Sequence, residues 1–184
     1  MKKIKKIMAI HKFADDTYVE YSDYPDYNFD IGHPVFLYEH KRKSNLIEYK
    51  KKIIYEDGTF FIPPTTSNIL PINNGLEFLC IYGKEPGEFN TVKQPPWYFP
   101  PPNNAAIYYS DGTLKHQLIS PIQDDGWYID RTWYMDYPEG TWQSKYNGFG
   151  FIIANESRYP QGVFCLYNGT PNLVLTGYEI DRSR

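Results

Sequence analysis

Short runs of Ile, Val, Phe and Tyr, each bounded by Gly, Pro, Asn or Asp, recur along the whole chain and limit what it can fold into. β-Branched and aromatic residues favour strands, and the turn residues between the runs interrupt any longer element. No window of a dozen residues carries a 3.6-residue apolar period, so we expect little helix. The predicted strands are 4–13, 35–39, 46–55, 59–62, 76–82, 105–109, 113–119, 127–135, 149–154, 163–167 and 173–180.

Two turns share one sequence pattern. Segments 53–59 and 107–113 are identical at five of seven positions, including an Asp-Gly pair followed by Thr. An Asp-Gly pair between strand-like runs predicts a hairpin, because both residues tolerate the positive φ of a type I′ turn. We therefore expect Asp57-Gly58 and Asp111-Gly112 each to lie at a hairpin tip.

Prolines concentrate in segment 83–104, which also contains Trp97 and Phe99. Proline cannot donate to a β ladder, so this stretch is not a central strand. We expect a long loop with Trp97 and Phe99 tucked under a sheet; the alternative is a ligand for a polyproline-binding partner. The fold prediction is a mainly-β protein, with 1–184 forming a single β-sandwich or barrel-like domain with Asp-Gly hairpins and a long Pro-rich loop. The alternative is two lobes, 1–82 and 105–184, connected by 83–104.

Charge and hydropathy exclude several classes of protein. The chain has 19 Lys and Arg against 22 Asp and Glu, so a nucleic-acid binder that works by bulk positive charge is not expected. No apolar run approaches the roughly 20 residues of a membrane span. The lysine-rich start resembles the charged region of an export signal, but its apolar stretch stops at Ile10 and His11-Lys12 follows. We therefore predict a cytoplasmic protein with no nucleic-acid or membrane partner.

Motifs for catalysis and metal binding are absent from the sequence. It contains no Gly-rich phosphate loop, no nucleophile elbow, no Cys-x-x-Cys and no His-Glu-x-x-His. Cys80 and Cys165 lie inside apolar runs, which predicts two buried, reduced thiols. We accordingly expect no enzyme, no cofactor and no metal; a glycan-active enzyme with paired carboxylates between Asp130 and Trp142 is a remote alternative.

Acids and aromatic residues are interleaved in two segments, 15–30 and 124–139, which we call the N-terminal and the central acidic segments. Carboxylates can attract a basic partner, while Tyr and Trp supply contact area at low entropic cost. In a β protein, half of these rings can equally be ordinary core or cross-strand residues. The candidate partner-binding residues are Tyr18, Glu20, Tyr21, Asp23, Tyr24, Asp26, Tyr27, Asp30, Asp124, Asp125, Trp127, Tyr128, Asp130, Trp133 and Asp136.

In size, acidic pI, lack of catalytic motifs and segments such as 15–30, the chain resembles the small cytoplasmic immunity proteins that accompany bacterial toxins. The resemblance concerns general character, so it implies no role for any individual residue. It implies a non-catalytic protein-binding module that neutralises a cognate toxin, such as a basic nuclease domain, by masking its active site. The alternative is a carbohydrate-binding or phage-tail-like β module that stacks glycans on Trp127, Trp133 and Trp142.

Overall fold

The computed structural model of the chain describes residues 1–24, 45–159 and 161–183, with the backbone alone for Tyr24. Every regular element in these ranges is a β-strand or a short 3₁₀ turn, so the mainly-β prediction is confirmed. The 3₁₀ turns are Asn73–Gly75, Ser144–Tyr146 and Glu156–Arg158. The strands are β1 (Ile4–Phe13), β2 (Tyr18–Tyr24), β3 (Leu46–Tyr55), β4 (Phe60–Phe61), β5 (Asn68–Ile72), β6 (Glu77–Ile81), β7 (Ala105–Tyr109), β8 (Leu114–Gln117), β9 (Trp127–Met135), β10 (Gly148–Asn155), β11 (Gln161–Leu166) and β12 (Val174–Asp181).

The strands form three four-stranded sheets, ordered β2-β1-β3-β4, β5-β6-β7-β8 and β12-β11-β10-β9. Neighbouring strands in the first and the last of these sheets run antiparallel. The sheets are separate and open, so the barrel-like form of the prediction is not observed. No helix in the described ranges has the length and apolar character needed to cross a membrane.

The chain folds into two compact units. Unit 1 comprises Met1–Cys80, Pro86–Tyr98 and Tyr108–Lys115, and unit 2 comprises Ile81–Glu85, Phe99–Ile107 and His116–Arg184. The β1–β4 sheet lies in unit 1 and the β9–β12 sheet in unit 2. Each unit is assembled from stretches that are not continuous in sequence.

The core of unit 1 follows the alternation of its central strands. Along β1 the buried residues include Ile7, Ala9 and Phe13, on one face of the strand. Ile7 lies opposite Ile53 of β3, and both are fully buried. Both strands have the bounds that their runs of apolar and aromatic residues predicted.

Two strands were not predicted, and each has a physical reason. β5 contains Pro71, which breaks the strand pattern in sequence, but β5 is an edge strand and needs fewer ladder donors. β2 lies inside the N-terminal acidic segment, where Val19 is the buried residue among polar and aromatic neighbours. The predicted strand 35–39 lies outside the described residues.

Both Asp-Gly pairs lie at hairpin tips as predicted, between β3 and β4 and between β7 and β8. The predicted type I′ turn is wrong, because only the glycines, Gly58 (φ 81°) and Gly112 (φ 89°), have positive φ. In the first hairpin the Gly58 N–H donates to Tyr55 O and the Tyr55 N–H to Thr59 O. This is a three-residue loop with a left-handed glycine. The carboxylate of each Asp accepts from the Thr two residues later.

The Pro-rich segment is anchored by its aromatic residues, as the loop interpretation predicted. In unit 1 the Trp97 ring stacks on Tyr108 with centroids 4.6 Å apart, and Tyr108 stacks in turn on Phe78. In unit 2 the Phe99 ring is buried edge-on against Tyr82. Large rings therefore hold down a stretch that cannot contribute a central strand.

Candidate functional site

Strand β9 carries the central acidic segment at one edge of the unit 2 sheet. Trp133 lies opposite Gly150 and Met135 opposite Gly148 on β10, so both side chains stand on the face that bears Ile152. Tyr134, between them, projects from the opposite face and is 67% exposed. Alternation along one strand thus assigns neighbouring rings to different surfaces.

The face carrying Trp133 has its own small hydrophobic core. Met135, Ile152, Phe164 and Ile180 are buried together there. Gly150 makes the packing of Phe164 feasible, because a Cβ at this position would come within 2.8 Å of the Phe164 ring. Half-buried aromatic and aliphatic residues cover this core, namely Tyr137, Tyr146, Leu166 and Tyr178.

A cavity of about 190 Å³ opens on this face beside the small core. Its walls include an indole from β9 and the phenols of a loop residue and a β12 residue. We call it the aromatic groove; it is lined by Trp133, Met135, Tyr137, Tyr178, Glu179, Ile180 and Asp181.

Tyr137 and Tyr178 form a pair of phenols in the lining, with hydroxyl oxygens 3.2 Å apart. Asn147 fixes the position of Tyr137, because its side chain accepts from the Tyr137 N–H and donates to the Tyr137 carbonyl. The pKa of the Tyr178 hydroxyl is raised mainly by its hydrogen bond with Tyr137 and to a smaller extent by burial. Two phenols have two O–H donors and one such bond uses a single donor, so the pair retains hydrogen-bonding capacity for a bound group.

The loop between β9 and β10 extends the aromatic surface beyond the groove. The ring centroids of Tyr146 and Tyr178 are 4.9 Å apart, and those of Trp142 and Tyr178 are 6.2 Å apart. Trp142 nevertheless remains 65% exposed. Trp133 is 37% exposed. Exposed rings packed on a buried core form a rigid apolar platform.

Four carboxylates of the central acidic segment flank β9. Asp124 and Asp125 precede the strand, and Asp136 and Glu139 follow it; all four are exposed. None of them makes an ion pair or side-chain hydrogen bond with another described residue. Their charge is therefore directed to solvent.

The remaining predicted residues of the central segment have internal partners. Asp130 lies in a β-bulge, where it binds Arg131 Nε at 2.8 Å and lies 3.6 Å from Arg182 Nη1. Arg182 Nη1 donates to the Tyr128 hydroxyl. Trp127 is 9% exposed, with the Arg158 guanidinium 5.4 Å from its ring centroid, so it does not form an open platform.

The N-terminal acidic segment belongs to unit 1, whereas the groove residues of the central segment belong to unit 2. Tyr18 and Glu20 are exposed, and Lys12 lies 5.3 Å from the Tyr18 ring centroid. Tyr21 is half-buried, with its ring 5.6 Å from His11. Of the other predicted residues, Asp23 forms an ion pair with the buried Lys51, Tyr24 is described by its backbone alone, and Asp26, Tyr27 and Asp30 lie outside the described residues.

Several groove residues were missed by sequence reasoning. Tyr137 belongs to the central segment, but nothing in its sequence context distinguished it as a binding residue from the neighbouring aromatic residues. Tyr178 lies about forty residues later, and only the register of β11 and β12, which sets it opposite Phe164, brings it to this face. Glu179 and Asp181, which also line the groove, alternate with Tyr178 and Ile180 and so project from the other face of β12. No sequence signal predicts that register, because β12 is bulged opposite Phe164 and Cys165.

The described ranges hold no cluster of three or more His, Cys, Asp or Glu side chains arranged to bind a metal ion. The chain matches no protein-family model, no curated protein and no solved structure. The features of the described residues that bear on function are therefore the aromatic groove and the exposed carboxylates before and after β9.

Proposed function

We propose that this chain is a non-catalytic protein-binding module whose partner-binding surface is the face of unit 2 that carries the aromatic groove. The observation that supports this most directly is the combination of partly exposed rings with carboxylates that have no partner among the described residues. Trp133 and Trp142 supply the rings, and Asp136 and Glu139 supply nearby charges in sequence.

The rings suit the role of binding anchors. Aromatic side chains dominate binding hot spots because they bury large areas and lose little conformational entropy. Trp133 projects from a paired strand, and Tyr137 is held by Asn147 through two hydrogen bonds. This preorganisation reduces the entropic cost of binding.

The charges suit a basic partner. Residues 53–184 contain 14 acidic and 8 basic residues, a net charge of −6. Carboxylates on the rim of an interface accelerate association with an oppositely charged protein. The form of this function that we propose is neutralisation of a basic bacterial toxin domain by covering its active site, as an immunity protein does.

The test compares two β9 variants in capture of a partner from the source organism. Trp133→Ala removes a groove ring, and Tyr134→Ala removes a more exposed ring from the opposite face. We expect one partner to be retained by the wild type and Tyr134→Ala and lost with Trp133→Ala, and the captured partner to be toxic unless this chain is co-expressed. Equal retention of the partner by both variants would contradict the proposed binding surface. A captured partner that is not toxic would contradict the proposed neutralisation of a toxin.

A second candidate function is glycan recognition, which is favoured by the hydrogen-bonding capacity of the Tyr137 and Tyr178 hydroxyls between aromatic walls. Sugar rings stack on aromatic faces and exchange hydrogen bonds with such hydroxyls. A glycan array probed with the same two variants tests it. A glycan bound by Tyr134→Ala and the wild type but not by Trp133→Ala would support this candidate over the first.

A further inference from the structure

We infer that the open edge of β3 in unit 1 binds an extended peptide segment of a partner protein, which adds to the sheet as a further strand. The site is separate from the aromatic groove, and the inference does not depend on the proposed function. It follows from three observations: the direction of the backbone groups of β3, a cavity beside them, and the chemistry of the cavity walls.

Alternate residues of β3 direct their backbone groups towards the side on which β4 lies. The Tyr55 N–H donates to Thr59 O on that side. Because backbone groups alternate in direction along an antiparallel strand, Lys51 and Tyr49 direct their N–H and C=O groups to the same side as Tyr55. Lys50, between them, directs its groups to β1.

The pairing of β3 with β4 ends well before β3 does. β4 pairs only with Ile53 and Ile54, and a continued register would set Lys51 opposite Pro63, which has no N–H to donate. Within the ranges that the structure describes, the backbone groups of Tyr49 on this side make no hydrogen bond. Such an unpaired edge is a template for another strand.

A cavity of about 190 Å³ lies at this edge, and we call it the edge groove. Its lining comprises Glu48, Tyr49 and Lys50 of β3, residues 62–66, and Phe89 with Thr91, all of which belong to unit 1. Its volume is that of about six water molecules in the liquid. The edge groove therefore takes about one residue of an extended chain, next to the backbone of Tyr49.

The two loops of the lining are held by each other. Pro64 O accepts from the Thr91 N–H at 3.1 Å, and Asn90 Oδ1 accepts from the N–H and the hydroxyl of Thr66, both at 2.8 Å. Asn90 is buried. These hydrogen bonds do not use the backbone of β3, so the edge groove is preformed and a segment that enters it needs little reorganisation of the chain.

The chemistry of the lining specifies an extended backbone with an apolar side chain. An extended segment offers an N–H and a C=O together, which is what the Tyr49 backbone pairs with in strand addition. Ile62, Pro63 and Phe89 give the groove apolar walls.

The charged residues of the described lining neutralise each other. Glu48 and Lys50 form an ion pair. The groove therefore favours an uncharged segment over an acidic or a basic one.

A single segment fits this groove better than the sheet of a second copy of the chain. In a sheet the next strand lies about 4.8 Å behind the one that pairs. The loops that carry Pro64 and Phe89 border the groove where such a strand would follow. A segment without neighbouring strands avoids this conflict.

The experiment follows the backbone amides of the full chain by NMR during titration with a capped pentapeptide that has leucine between two pairs of threonines. In the free chain, the Tyr49 amide should exchange with solvent at least about ten-fold faster than the Lys50 amide, which faces β1. The peptide should shift the Tyr49 amide proton saturably and give backbone nuclear Overhauser contacts to β3. The control peptide is methylated at every backbone nitrogen and should bind about ten-fold more weakly, because it has no N–H to donate.

Two variants test the walls of the groove. Ile62→Ala removes apolar surface from the lining and should weaken binding of the leucine peptide about five-fold. Phe60→Ala is the matched control, because Phe60 is a more exposed side chain nearby in sequence that does not belong to the lining, and binding should be unchanged. Circular dichroism and thermal unfolding confirm that both variants are folded.

Three results would each overturn the inference: equal solvent exchange of the Tyr49 and Lys50 amides in the free chain, no saturable shift up to the solubility limit of the leucine peptide, or equal binding of the methylated peptide. A Tyr49 shift that instead follows the concentration of the chain itself, together with a dimer in sedimentation, would show that a second copy occupies the edge. That result would also overturn the assignment to a peptide segment.

Discussion

Asp23 is the residue whose role changes most once its neighbours are known. It lies in the bulge of β2, and Lys51 of β3 forms an ion pair with it across the intervening strand β1. Both side chains of the ion pair are almost fully buried, at 10% and 6% exposure. A charge held in this way supports the first sheet and contributes little to long-range attraction of a partner.

We therefore predict that Asp23→Ala lowers the free energy of unfolding by about 3–5 kcal/mol, because it leaves the buried Lys51 ammonium without its partner. The double variant Asp23→Ala/Lys51→Met should regain much of this loss. Urea unfolding measures both. Asp16→Asn is the control: Asp16 is an exposed carboxylate near Lys12 with a positive φ that Asn also tolerates, so stability should hardly change. An equally small effect for Asp23→Ala would contradict the structural role.

The two cysteines are both buried and form no disulfide with each other, as the sequence predicted. Burial raises the pKa of the Cys165 thiol to about 12. In the unfolded chain the thiol ionises near pH 8.5, so between these values the folded state retains a proton that the unfolded state releases. The stabilising contribution of the protonated thiol is thus complete below about pH 8.5 and declines as the pH rises towards 12.

We predict that thiol reagents label native protein slowly at pH 8, and that labelling becomes fast for both cysteines in urea. The rate should follow opening of the fold, because the thiolate is the reactive species. A stopped-flow assay with a chromogenic disulfide measures this. Immediate labelling of Cys165 in the native protein would show that its burial is not maintained in solution.

At the scale of elements, the sequence predicts strands well where apolar alternation is regular. β1, β3 and β9 have their predicted bounds, and so does β7, which is a short continuous apolar run between turn residues. It predicts the location of both Asp-Gly hairpins but not their turn type, because the backbone of an Asp-Gly pair is compatible with more than one tight loop. Bulges such as the one at Asp130 have no sequence signal here, although they decide which side chains share a face.

The two hairpin glycines provide a matched comparison. Both have positive φ, but a Cβ at Gly58 meets nothing within 4 Å, whereas at Gly112 it would come within 2.7 Å of the Phe61 ring. We predict that Gly58→Ala costs about 1–2 kcal/mol, from backbone strain alone. Gly112→Ala should cost about 1–3 kcal/mol more, because Phe61 must move. Thermal unfolding of the two variants measures the difference. Equal losses of stability would show that the Phe61 ring moves aside without an energetic penalty.

At the scale of the whole molecule, charge is distributed unevenly in a way that composition alone already shows. Residues 1–52 have 11 basic and 8 acidic residues, while residues 53–184 have the opposite balance. What composition cannot show is which carboxylates are available. Asp130 and Asp23 have internal partners, whereas Asp136 and Glu139 do not have one among the described residues.

The sequence identified one part of the candidate site, and the strand pairing in the structure supplied the rest. Interleaved acids and rings identified the central segment, and Trp133 with Asp136 remains part of the proposed surface. The groove itself needs Tyr178 from β12, which becomes a neighbour only through the pairing of successive strands from β9 to β12. Sequence reasoning can thus select a candidate segment, but it cannot place residues from distant strands beside it.

The final prediction distinguishes the effect of the carboxylates on the association rate from the effect of the aromatic rings on the dissociation rate. Carboxylates act at long range and mainly set the association rate, whereas buried rings are lost only on separation and mainly set the dissociation rate. Asp136→Lys/Glu139→Lys should therefore slow association and flatten its salt dependence. Trp133→Ala should leave association nearly unchanged and accelerate dissociation by a factor corresponding to about 2 kcal/mol or more. Surface plasmon resonance at several ionic strengths measures both rates. Glu85→Lys/Glu88→Lys makes the same change in net charge outside the central segment. An equal slowing by this control would show that net charge, and not the position of Asp136 and Glu139 directly after β9, governs association.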